Sequence, residues 1–65
     1  MKFVISVRDG EIEVGGKKLL KVLEKETVTS IKELKKLNKK FKEAYPDKEI
    51  LILEYYYGKW RKITI

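Results

Sequence analysis

Residues 30–45 read SIKELKKLNKKFKEAY, and the fold follows from this stretch. Ile31, Leu34, Leu37, Phe41 and Tyr45 (or Ala44) recur at helical spacing and share one face. Ser30 precedes Glu33 by three residues, so its hydroxyl can cap the N3 amide while the Glu carboxylate reaches back to the cap amide. Pro46 lacks an N–H and biases Tyr45 away from helical angles, which ends the pattern. A helix apolar on one face needs a surface to cover, and the flanking segments have the alternation of strands.

Working outward toward the N-terminus, residues 2–8 (KFVISVR) place Phe3, Ile5 and Val7 on one face and Val4, Ser6 and Arg8 on the other. Asp9-Gly10 is a two-residue hairpin signal, and pairing across it sets Val7 opposite Ile12, Ile5 opposite Val14 and Arg8 opposite Glu11. Gly15-Gly16 is a second candidate turn that sends residues 17–24 back as a third strand, with Leu19 facing Ile12. The same KKLLKVLE run also fits a short helix through Leu19, Leu20 and Leu23; Gly-Gly and the β-prone Thr27-Val28-Thr29 favour the strand, with Lys25-Glu26 as a loop or kink.

Toward the C-terminus, residues 49–57 (EILILEYYY) are the most β-prone of the chain. Gly58-Lys59 has the glycine first, as a type II′ turn requires, so residues 60–65 return with Tyr57 facing Trp60, Tyr55 facing Lys62 and Glu54 facing Ile63. Ile50, Ile52, Ile63 and Ile65 then share the face toward the helix. The expected class is α+β: a single helix packed on a small antiparallel or mixed sheet, in the order β-β-β-α-β-β, or β-β-α-β-β without the third strand. A partly rolled OB-like barrel and a β-grasp share this element order and stand as alternatives. At 65 residues, with no repeat or linker, the chain forms one domain, residues 1–65.

Composition narrows the chemistry. There is no Cys and no His, which removes disulfides, thiolate metal sites, the usual general base and the commonest transition-metal ligand. Ser6 and Ser30 are the only serines and have no His to activate them. The glycines match no phosphate-loop spacing, and no EF-hand spacing exists. No enzyme activity, cofactor or metal is expected. Apolar runs are far shorter than the roughly 18 residues of a membrane span, and no signal-peptide core follows Lys2, so a cytoplasmic location without membrane association is expected.

The formal net charge of +6 is uneven: residues 31–45 carry six Lys against Glu33 and Glu43, and residues 58–65 add Lys59, Arg61 and Lys62. Such a balance favours anionic partners and equally serves solubility. Two surfaces are candidates for weak, non-specific nucleic-acid binding. One is the last hairpin, where Tyr55, Tyr57 and Trp60 interleave with Lys59, Arg61 and Lys62 as a stacking platform for single strands. The other is the helix, through Lys32, Lys36, Lys39 and Lys40, where Lys32/Lys36, Lys35/Lys39 and Lys36/Lys40 set like charges at i,i+4 spacing, a pattern suited to phosphates. The apolar outer face of the hairpin, with Leu51, Leu53 and Tyr55, is equally suited to a homodimer through the sheet face or its edge. A sequence without Cys, His or Gln, with a capping box and favoured turns, also fits an idealised designed protein or a small thermostable one with a purely structural role.

Overall fold

A computed structural model describes residues 2–65. The elements are β1 (Lys2–Val14), β2 (Lys17–Val28), α1 (Ile31–Ala44), β3 (Glu49–Tyr56) and β4 (Lys59–Ile63). The four strands form one open, wholly antiparallel sheet in the order β2-β1-β3-β4, with α1 on one face. The α+β class and the single helix are as expected; the edges β2 and β4 do not meet, so no barrel closes.

Local chemistry sets α1 as read. The Ser30 Oγ accepts from the Glu33 amide at 3.2 Å, and the Leu34 amide donates to the Ser30 carbonyl at 3.1 Å. The reciprocal arm of the capping box, from Glu33 to the Ser30 amide, is not formed among the described residues. At the other end the Tyr45 amide donates to the Phe41 carbonyl at 2.7 Å before Pro46 turns the chain. Leu34 and Phe41 bury against Phe3, Ile5, Val7, Val28 and Ile52, with Leu37, Tyr45, Ile50 and Ile63 packed around them. Ile31 and Ile65, both expected in the core, are exposed. Ile31 opens the first turn, and Ile65 lies beyond the end of β4.

The first hairpin departs from expectation. Asp9-Gly10 is not a turn: β1 runs through it as one 13-residue strand, and Gly10 takes a φ of +73° at a register shift against β2. Positive φ at glycine serves a bulge as well as a turn, and here the bulge wins. The chain reverses at Gly15-Gly16 (φ +58° and +79°), so residues 17–28 are strand and Leu19 faces Ile12. The two strands expected at residues 2–8 and 11–14 are therefore one. The segment at 17–24 is a strand and not a helix, and Lys25-Glu26 lie within it opposite Ser6 and Ile5.

Pairing of β1 with β3 stops at Arg8–Glu49, so residues beyond it form a two-stranded ribbon that neither β3 nor α1 covers. Ile12 and Val14, expected in the core, are 43% and 56% exposed there. At the ribbon's base, Lys48 Nζ lies 2.8 Å from Asp9 Oδ1 and Lys21 Nζ 3.7 Å from Asp9 Oδ2. The hydrogen bond from Lys48 holds the Asp9 carboxyl below its ordinary value, and Asp9 in turn raises Lys48. The Tyr45 phenol beside them is pushed up, first by burial and then by the Glu24 carboxylate.

The second hairpin is shifted from the expected register. Tyr57 (φ +47°) and Gly58 (φ +76°) are the two turn residues, in place of Gly58-Lys59. Tyr55 therefore pairs with Trp60, Leu53 with Lys62, Glu54 with Arg61 and Ile52 with Ile63. This register exchanges the unfavourable Glu54–Ile63 pairing for a charge pair and an apolar pair, which offsets the left-handed backbone at Tyr57.

Candidate nucleic-acid interface

Strand alternation sorts the hairpin residues onto two faces. Ile50, Ile52, Glu54 and Tyr56 of β3 lie on the helix side, with Arg61 and Lys59 across from the last two. Leu51, Leu53 and Tyr55 lie on the open side with Trp60 and Lys62. The sequence-predicted site therefore divides. Tyr55, Trp60 and Lys62 come together on the open face. Arg61 is held on the other, its Nε and Nη2 at 2.8 Å and 2.6 Å from the same Glu54 Oε1 and its guanidinium 4.4 Å from the Tyr56 ring centre. Lys59 pairs with Tyr56, and Tyr57 stands in the turn, 87% exposed with its ring edge-on to Tyr56. Lys32, Lys36, Lys39 and Lys40 are all exposed on α1, in the layer across the sheet from Trp60. No single site unites the lysine helix with the aromatic platform.

The platform itself is a tilted aromatic pair. Tyr55 and Trp60 have ring centres 5.1 Å apart and are 42% and 47% exposed, and Lys2 Nζ lies 5.9 Å from the centre of the Trp60 ring. Beyond the pair runs an open groove of about 460 Å³. Its apolar wall is Val4, Val22, Leu51, Leu53 and Trp60; its polar groups are Ser6, Arg8 and Lys25. Leu51 is buried and Leu53 half-buried, so the open face is only partly the bare apolar patch that its sequence suggests.

By register, Lys2, Arg8, Lys25 and Lys62 share this face with Glu49, across from Arg8, and with Glu11 and Glu13 further out along β1. Sequence reasoning missed Lys2, Arg8 and Lys25 because they come from β1 and β2, brought beside β3 only by the β1–β3 pairing that spans the helix. The alternation of Arg8 with Val4 and Ser6 was the available signal.

Among the described residues there is no cluster of three or more metal-ligating side chains, and no helix is long and apolar enough to cross a membrane. No family model matches the chain, and no curated protein or solved structure matches it.

Proposed function

We propose that this is a non-enzymatic domain that binds single-stranded nucleic acid, weakly and with little sequence preference, on the open face of its sheet. The observation that carries the reading is the half-exposed Tyr55–Trp60 pair on the uncovered face, flanked by Lys2 and Lys62. Bases stack on aromatic faces whatever their identity, at roughly 1–3 kcal/mol per base, and cations alongside neutralise the backbone. The helix lysines add a general attraction for polyanions from the opposite layer, without stacking.

The test is a Trp60 fluorescence titration with single-stranded and duplex oligonucleotides at 50 and 200 mM salt, beside an unrelated small protein of equal charge. Single strands should quench Trp60 and bind more tightly than duplex, and Trp60→Ala should lose about fivefold or more in affinity while keeping its fold. Affinity no better than the control, or equal affinity for duplex without quenching, removes the platform and leaves only the lysine face or a structural role.

A second reading rests on a separate observation. The ribbon beyond Arg8 exposes Ile12, Val14 and Leu19 together on one face, an apolar patch suited to a second copy or another protein. Sedimentation at 10 and 200 μM should show association at the higher concentration that Leu19→Lys abolishes; a monomer at both sets self-association aside.

A further inference from the structure

Arg8 is the least explained side chain of the molecule. It is half-buried in mid-strand, its Nε is buried without a hydrogen-bond partner, and it joins no ion pair among the described residues. Glu49 stands directly across from it on β3, yet the two do not close to a salt bridge. On β2 the facing residue is Val22, and the next polar side chain lining the groove is that of Lys25, another cation. Arg8 lines a groove shared with Ser6, Val22, Lys25 and Leu51, and a buried donor left unpaired there costs stability. The planar donors of its guanidinium fit two oxygens of one phosphate.

We infer that Arg8, with Lys25 lining the same groove, is a phosphate-binding subsite that fixes the path of a single strand across the sheet. This inference rests on the single-strand reading above and names how that strand is held. Trp60 is level with Tyr55 and Lys2, and Arg8 lies six residues further along β1, roughly 20 Å at the rise of a strand. The phosphate at Arg8 is therefore not the one next to the base stacked on Trp60 but one some nucleotides along. The strand runs obliquely from β4 over Leu53 and Leu51 to β1 and β2, with its aromatic contact at one end and its bidentate anchor at the other.

The experiment compares wild type, Arg8→Met and Trp60→Ala against oligothymidylate with a natural backbone and with a neutral methylphosphonate backbone, across a salt series. Arg8→Met should weaken binding of the natural strand about tenfold and lower the salt slope by about one. It should leave binding of the neutral strand unchanged, and its melting temperature should equal or exceed that of wild type, because an unpaired buried donor has been removed. Trp60→Ala should weaken both strands with the salt slope retained. Wild-type binding that needs Trp60 but is indifferent to Arg8 overturns the subsite and leaves the platform standing; no wild-type binding above an equal-charge control removes both. Equal weakening of both strands by Arg8→Met, or a lowered melting temperature, makes Arg8 a structural residue and overturns the inference. Inorganic phosphate is the last arm: if it raises the melting temperature of wild type but not of Arg8→Met while strand affinity ignores Arg8, the subsite serves a free anion and the assignment to a strand falls.

Discussion

Phe41→Ala is expected to remove about 3–5 kcal/mol, enough to unfold most of the population of so small a domain at room temperature. Phe41 is buried, and with fully buried Leu34 it is how α1 reaches the core. Truncation loses the transfer energy of the ring and leaves a void between α1 and the layer of Phe3, Ile5 and Val7. With one helix and one sheet there is no second core to hold the structure while the void collapses. Ile31→Ala, on the same helical stripe but 38% exposed, should cost less than about 1 kcal/mol. Chemical denaturation of the two variants side by side checks this; similar midpoints for both would mean that the helix is not anchored at its C-terminal half.

Loss of Arg61 should have the next largest effect. Glu54 is buried under the sheet's helix side, and both of its described side-chain contacts are made by Arg61 to the one oxygen, Oε1. Arg61→Ala leaves that carboxylate in an apolar surround and also removes the guanidinium from the Tyr56 ring, for a combined cost on the order of 2–3 kcal/mol. The figure is held below that of a fully buried pair because the Arg61 side chain is largely in solvent. The double variant Glu54→Leu/Arg61→Leu should recover most of the loss, since no charge is then stranded. Urea denaturation of the two singles and the double completes the cycle. A double variant as unstable as Arg61→Ala would show that the cost lies in packing and not in the unpaired carboxylate.

The helix was legible because its determinants are local: Ser30 at the cap, a stripe through Leu34 and Phe41, and Pro46 after it. The turns were harder because a glycine with positive φ serves several geometries. Asp9-Gly10 satisfies a type I′ turn and a bulge equally well. What decides between them is distant: β3 holds one edge of residues 2–8, and the other edge, which a turn at Asp9-Gly10 would give to residues 11–14, is taken by residues 22–28 of β2, whose Val28 enters the core. At Tyr57-Gly58 the sequence did hold a hint, because the Gly58-Lys59 register sets Glu54 against Ile63 and the observed register removes that conflict. The same distance dependence divided the site. Tyr55, Trp60 and Lys62 are neighbours through one hairpin and could be read together. Moving the turn by one residue shifts each partner by two and so keeps every side chain on its face: Arg61 stays on the helix side, now across from Glu54 in place of Tyr56, and Lys59 leaves the turn to pair with Tyr56. Arg8 and Lys25 join only through the long-range order of the sheet.

The uncovered ribbon also gives the molecule two rates of internal motion. Around Phe3, Ile5 and Val7 a strand is paired on both edges and packed beneath a helix, so its amides open only when the whole domain does. From Glu11 to Leu20 the same strand and its partner hold each other alone, and a lone two-stranded hairpin is marginal in water. That end can fray and re-form many times during one lifetime of the folded core. Asp9, bridged by Lys48 and Lys21, marks the boundary at which such opening stops.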